Sequence, residues 1–209
     1  MTKVLLTRPE GRNEQLADVL RDAGHEVVCE PLIAIEPLGD APIELDGYDW
    51  LVLTSATGAR ELRRRAGGRA NRVAAIGRAT AEAYGDVDLI ASESTQEGLL
   101  AELPRPAGRV LFAGAEGARR LLIDELDADF VPLYRTRALR PEKLPDADLV
   151  VLASPSAARA FAGLGVSIPV VSIGPETTAA ANEVGLRVAA AARTHDLDGL
   201  ISAVAEATR

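Results

Sequence analysis

The chain has 209 residues, room for two small domains or one large one, and at 47% hydrophobic and 26% charged it has an ordinary globular composition. With 31 acidic against 23 basic residues its formal net charge is −8, which excludes nonspecific nucleic-acid binding, because that rests on basic surface. Three Phe, three Tyr and one Trp offer no stacking platform for bases, and no run of 18 apolar residues exists to span a membrane.

The single cysteine, Cys29, excludes an internal disulfide and a cysteine-based metal cluster; it falls in an apolar strand, where a packing role is expected. Charge at Lys3 comes too early for a signal peptide, so a cytoplasmic protein is expected. The basic residues are 21 Arg and 2 Lys. Arg suits carboxylates because its planar fork binds them in two places. Arg8, Arg12, Arg78 and Arg135 sit where that matters, whereas Arg63–Arg65 reads as an exposed helix end.

Taken in chain order, Val4–Leu6 is a short apolar run and a helix starts in Glu10–Asn13, with Leu16, Val19 and Leu20 as its apolar stripe. Gly24 ends that helix, His25 lies in a solvated turn, and Glu26–Cys29 is the next strand. Pro31–Pro37 is an extended connector, and 39–46 is a loop. Strand Trp50–Thr54, helix Ala56–Arg65, strand Arg72–Ile76, helix Ala79–Tyr84, strand Val87–Ala91 and helix Gln96–Leu103 follow. Strand Arg109–Ala113 and helix Gly117–Leu126 come next. Phe130–Leu133 then leads into a second extended connector, Tyr134–Leu139. The last third has strand Leu149–Leu152, helix Ser156–Leu164, strand Val170–Ile173, helix Glu176–Val184, strand Arg187–Ala190 and helix Leu197–Ala205. Alternation of this kind predicts parallel sheets flanked by helices.

The chain repeats itself. Leu51–Leu53 with Thr54 and Ser55 matches Leu149–Leu152 with Ser154, and Ile76-Gly77 with Thr80 matches Ile173-Gly174 with Thr177. Val4–Leu6 with Glu10-Gly11 recurs as Val110–Phe112 with Glu116-Gly117, and Pro31-Leu32 recurs as Pro132-Leu133. Two tandem copies of a roughly hundred-residue unit predict two similar lobes. Whether they are sequential or interleaved is left open by the pattern.

In open α/β sheets ligands bind where strand C-termini meet helix N-termini. There the first four N–H groups of each helix lack partners and the macrodipole adds partial positive charge. Thr7-Arg8, Thr54-Ser55, Gly77–Thr80, Gly114–Gly117, Ser154–Ser156 and Gly174–Thr178 are six such junctions. Ser and Thr there also cap helices, so no single junction decides; the set points to a ligand bearing many carboxylates or phosphates. Familiar catalytic kits are missing: there is no G-x-x-x-x-G-K-[ST], G-x-G-x-x-G or G-x-S-x-G, and two histidines, His25 and His195, cannot build a His-rich metal site. Tyr134 stands out in the second connector. A phenol, with an ordinary pKa near 10, is a neutral donor at pH 7 and suits helping a hydroxide leave as water.

These residues resemble a family. Leu5–Pro9, Pro31–Ile33, Tyr48–Ala56, Ala75–Ala81, Leu133–Thr136, Ser154–Ser156 and Ile173–Ala179, in this order over nearly the whole chain, are similar to uroporphyrinogen-III synthases. The resemblance implies two α/β lobes, each a parallel sheet flanked by helices, joined by a two-stranded connector. It places residues 1–32 and 140–209 in one domain, 38–132 in the other, and 33–37 and 133–139 in the connector strands.

It also implies a lyase of tetrapyrrole biosynthesis that converts hydroxymethylbilane to uroporphyrinogen III without metal or cofactor. Loss of the terminal hydroxyl gives an azafulvenium cation, and closure through a spiro-pyrrolenine inverts ring D. Tyr134 matches the family's connector tyrosine, the candidate for assisting hydroxyl departure. Thr80 and Thr177 match its helix-start threonines, with Ser55 and Ser156 at the hydroxyl turns. Thr7, Arg8, Thr54, Arg78, Gly114, Ser154 and Gly174 complete the expected substrate-binding set for eight carboxylates. The expected protein is a monomer without nucleic-acid or membrane partners. The chain is short for the family, and Ala153 stands where a hydroxyl residue is common. The alternative reading is a noncatalytic two-lobed module of the same fold that binds an anionic ligand.

Overall fold

The computed structural model describes residues 1–209. In chain order, β1 (Lys3–Leu6), α1 (Glu14–Asp22), β2 (Glu26–Cys29) and β3 (Ile33–Pro37) open the chain. Next come β4 (Ile43–Glu44), β5 (Trp50–Leu53), α2 (Ala56–Arg65), β6 (Ala66–Gly67), β7 (Arg72–Ala75), α3 (Arg78–Tyr84) and β8 (Leu89–Ile90). They are followed by α4 (Gln96–Glu102), β9 (Val110–Ala115), α5 (Leu121–Leu126) and β10 (Asp129–Ala138). The chain closes with β11 (Leu149–Leu152), α6 (Pro155–Ala162), β12 (Val170–Ser172), α7 (Pro175–Glu183), β13 (Val188–Ala191) and α8 (Leu197–Ala207).

Two compact units result. The first is Met1–Ile35 with Arg137–Arg209, and the second is Glu36–Thr136. The first holds a parallel sheet in the order β13-β12-β11-β1-β2. The second sheet runs β8-β7-β5-β9-β10, again all parallel, with β3 added beside β10. Elements that the repeat pairs (β1 with β9, β2 with β10, β11 with β5, β12 with β7, β13 with β8) occupy the same places in the two sheets. β3 runs against β10: Leu139 N–H donates to Leu32 O at 2.8 Å and Leu38 N–H to Leu133 O at 2.9 Å.

Period-2 alternation sorts the strand residues of the first unit between two cores. Val4, Leu6, Leu149, Val151 and Val171 pack with α1 and α8 through Leu16, Leu20, Leu200 and Val204. Leu5, Val150, Leu152 and Val170 pack with α6 and α7 through Phe161 and Ala181. The central strands are apolar at every position because both faces are covered. In the second unit, Trp50, Val52, Val110 and Phe112 pack with Leu99 and Leu103 around α4 and Leu122 of α5. The Phe112 and Phe130 rings there stand 5.3 Å apart. Helices α2 and α3 lie side by side and touch β5, β7 and β9.

Several local expectations change. The turn through Gly11, whose φ is +72°, delays α1 to Glu14, and the helix expected from Gly117 begins at Leu121. β4 and β6 form a short parallel pair, Ile43 with Ala66 and Glu44 with Gly67, in place of loop. Arg65 anchors that segment by donating to Ala41 O at 3.0 Å and Leu38 O at 3.1 Å. Cys29 is exposed rather than packed, because it is the last residue of β2, the edge strand of its sheet. Burial of the surrounding surface still pushes its thiol pKa up. His25 is not solvated throughout: its Nδ1 is buried.

Candidate active site

In the second unit, the turn after β5 makes Ser55 the N-cap of α2, with extended backbone (φ −158°, ψ 146°). Its Oγ accepts the Gly58 N–H at 3.0 Å, satisfying one of the four orphan donors of the helix start. Gly58 carries no side chain for a steric reason. A Cβ there would lie 3.1 Å from Ser55 Oγ and 3.6 Å from Ala113 O, so glycine lets the first turn of α2 sit against the end of β9.

β10 supplies the phenol. Its register against β9 shifts between Pro132, which faces Gly114, and Tyr134, which faces Ala115. The strand Phe130–Leu133 and the connector Tyr134–Leu139 expected from sequence are thus largely one ten-residue strand, with a bulge at Leu133. The bulge leaves Leu133 and Tyr134 both buried, breaking the alternation and re-aiming Tyr134. Leu53 of β5 is level with Ala113 of β9, so Ser55, two residues past Leu53, comes level with Ala115 and its β10 partner Tyr134. The Ser55 and Tyr134 hydroxyl oxygens are 3.0 Å apart, and Tyr134 is only 7% exposed.

Beside this pair, Glu116 N–H donates to Tyr134 O at 2.8 Å. The Arg135 fork grips the Glu116 carboxylate, Nε to Oε2 at 2.7 Å and a terminal nitrogen to Oε1 at 2.9 Å. Arg135 therefore does meet a carboxylate, one of the chain's own. The hydrogen bonds of this pair hold Glu116 below the usual carboxyl range and raise Arg135. Gly114 lies within β9, where a Cβ would come within 3.2 Å of the Phe112 ring. Its bareness answers to packing.

In the first unit, Ser154 is the matching N-cap of α6; its Oγ accepts the Ala157 N–H at 3.2 Å and lies 3.0 Å from Ser156 Oγ. Thr7 departs from expectation. It is fully buried and donates its hydroxyl to Val151 O at 2.8 Å, so that side chain ties β1 to β11 and faces no solvent. Arg8, the next residue, is half-buried.

The glycine starts of α3 and α7 are also alike. Gly77 and Gly174 are both extended N-caps, a conformation open to any residue, and both are crowded. A Cβ at Gly77 would lie 2.7 Å from Ser94 Oγ, and one at Gly174 would lie 2.8 Å from His195 Nε2. Thr80 and Thr177 are buried in the first turns that follow, whereas Arg78 is exposed and Thr54 is half-buried. Sequence reasoning missed one further matched pair. Thr95 Oγ1 caps Gly98 N–H at 3.0 Å at the start of α4, and Asp196 Oδ1 caps Gly199 N–H at 2.8 Å at the start of α8. Cap-x-x-Gly at an offset of 101 residues was the available signal.

The second unit thus offers a buried phenol joined to a hydroxyl at a helix start, a neutral proton donor beside a positive dipole end. A family model described as uroporphyrinogen-III synthase HemD matches residues 14–202. The chain belongs to the uroporphyrinogen-III synthase family. Members of that family are lyases of porphyrin biosynthesis, and their substrate is a small tetrapyrrole. A uroporphyrinogen-III synthase from Synechococcus elongatus is 28% identical over 99% of this chain and 95% of its own length. A chloroplastic uroporphyrinogen-III synthase from Oryza sativa is 26% identical over 99% of this chain and 80% of its own. The crystal structure of a mutant uroporphyrinogen III synthase from Thermus thermophilus aligns with a TM-score of 0.66, 16% identity, and coverage of 100% of this chain and 99% of that one. At that identity the likeness speaks for a shared fold. The uroporphyrinogen-III synthase fold is two-domain α/β, with parallel sheets flanked by helices, as found here.

Proposed function

We propose that this chain cyclises hydroxymethylbilane to uroporphyrinogen III, with inversion of ring D and loss of water, and that Tyr134 assists departure of the terminal hydroxyl. The C–O bond breaks, its electron pair leaves with oxygen, and the phenol proton completes a molecule of water. The azafulvenium cation left behind is attacked by the substituted carbon of ring D. Rearrangement through the spiro-pyrrolenine then releases one proton, which restores the phenol. The observation carrying this reading is the buried Tyr134 phenol, re-aimed by a bulge onto the hydroxyl at the start of α2.

Much of the remaining task is conformational, since the linear substrate must be held so that ring D meets ring A in the inverted sense. Helix starts suit its eight carboxylates. We assign Thr54, the backbone of Ser55, Arg78 and Thr80 of the second unit to substrate, together with Arg8, Ser154, Ser156, Gly174 and Thr177 of the first. The sealed hydroxyl of Thr7 and the packing role of Gly114 leave those two to shape the neighbouring backbone. We assign the two units as the enzyme's domains, 33–37 and 133–139 as connector strands, and the protein as a cytoplasmic monomer.

The deciding experiment is incubation with freshly prepared hydroxymethylbilane, followed by oxidation and chromatographic separation of isomers. Type III product is expected. Only the spontaneous type I isomer would overturn the proposal.

A further inference from the structure

We infer that Ser55 is a positioning residue for Tyr134, linking the phenol to the N-terminus of α2, an inference that rests on the reaction proposed above. Three atoms form a chain with closely similar spacings. Gly58 N–H donates to Ser55 Oγ at 3.0 Å, and Ser55 Oγ is 3.0 Å from Tyr134 Oη. In this arrangement the Ser55 oxygen accepts from the helix and can give its own proton to the phenol oxygen. Ser55 then orients the phenol to give its proton to the departing hydroxyl. Each donation polarises the next donor in line, and the chain begins at the positive end of a ten-residue helix.

The link also serves the state that follows. As the Tyr134 proton passes to the leaving oxygen, the phenolate left behind accepts from Ser55 O–H, with the α2 dipole behind it. No solvent rearrangement is needed to meet that charge, because Tyr134 is buried and its partner is in place beforehand. When ring closure releases its proton, the phenolate takes it up and the chain returns to its starting state.

The duplication argues that this is more than a helix cap. Ser154 occupies the matching N-cap in the first unit and accepts the matching amide, from Ala157. Its hydroxyl neighbour is Ser156, within its own turn. The repeat places Ile33 opposite Tyr134, so the first unit has the capped helix without the phenol. Capping is satisfied in both copies, and a Ser–Tyr link spanning 79 residues is found in the second.

A double-mutant cycle separates positioning from capping. Ser55→Gly removes the hydroxyl while costing an N-cap little, and Ser55→Thr keeps both. In the otherwise native protein, Ser55→Gly is expected to lower kcat about tenfold with KM within about twofold, and Ser55→Thr to restore kcat to within about threefold. In the Tyr134→Phe background, Ser55→Gly should change kcat by less than about twofold. Independent, multiplying effects would overturn the inference while leaving type III product, and so the reaction, standing. A readout without substrate covers the other case. In protein carrying 13C at tyrosine Cζ, the resonance missing from Tyr134→Phe should shift on Ser55→Gly; an unmoved resonance would sink the link whether or not the chain turns over hydroxymethylbilane.

Discussion

Gly174 and His195 lie in contact at the start of α7, so close that a Cβ on the glycine would stand 2.8 Å from the imidazole Nε2. The backbone at Gly174 is extended and would accept any residue, so the neighbour alone imposes glycine. Gly174→Ala must displace His195, and overpacking of this kind costs about 1–3 kcal/mol. Urea denaturation should show that loss, and Gly174→Ala combined with His195→Ala should recover most of it. Equal instability of single and double variants would point away from this contact.

Asp196 should make stability depend on pH in acid. The Gly199 N–H bond, then the Thr194 hydroxyl and the His195 charge, hold its carboxyl below the ordinary value. A carboxyl depressed in the folded state contributes stability above its unfolded pKa, about 3.9, and that contribution disappears as pH falls through the lower folded value. Asp196→Asn caps α8 comparably but does not titrate. Its unfolding free energy should therefore fall less steeply than the native protein's below about pH 4. Asp196→Ala should lose about 1 kcal/mol at pH 7 through the missing cap.

Replacing the phenol should slow the reaction without harming the fold. Tyr134→Phe keeps the ring in its buried place and removes the hydroxyl that meets Ser55. Loss of a general acid costs about 10²-fold at the low end, so kcat should fall by about that amount, with the spontaneous type I isomer rising in the product. A full-rate Tyr134→Phe enzyme would remove Tyr134 from the mechanism.

The octa-anionic substrate proposed above and a chain of net charge −8 can meet only through local positive potential. In the proposed site helix starts and Arg side chains would supply it, and salt would screen it, with a Debye length falling from about 10 Å at 0.1 M to about 3 Å at 1 M. KM should rise steadily as sodium chloride is added, with kcat changing far less. A flat response would count against carboxylate anchoring.

Much of this architecture was legible in the residues. Helix and strand periods are local, so the alternation and its repeat could be read without coordinates, and the matching strand orders of the two sheets bear out the duplication. Ser55 and Ser154 could be read as helix starts because capping needs only a hydroxyl and the next turn. The boundary expected between strand Phe130–Leu133 and connector Tyr134–Leu139 falls inside one strand, and nothing along the chain announces the bulge there. What failed depended on neighbours. The apolar strand around Cys29 predicts packing, and only its position at the end of an edge strand exposes it. At Thr7, only the position of β11 decides that the hydroxyl is tied to Val151 O.

The residues alone specify two copies of one strand–helix unit, where their helices start, and which hydroxyls stand at those starts. These are short-range properties, set by side-chain period and by the unpaired amides of each helix. Packing settles that Tyr134 meets Ser55, that the Thr7 hydroxyl is sealed, and that a Cβ at Gly58, Gly114 or Gly174 would be crowded. Those outcomes depend on strand order, on a one-residue register shift and on contacts across tens of residues, and no local pattern along the chain encodes them.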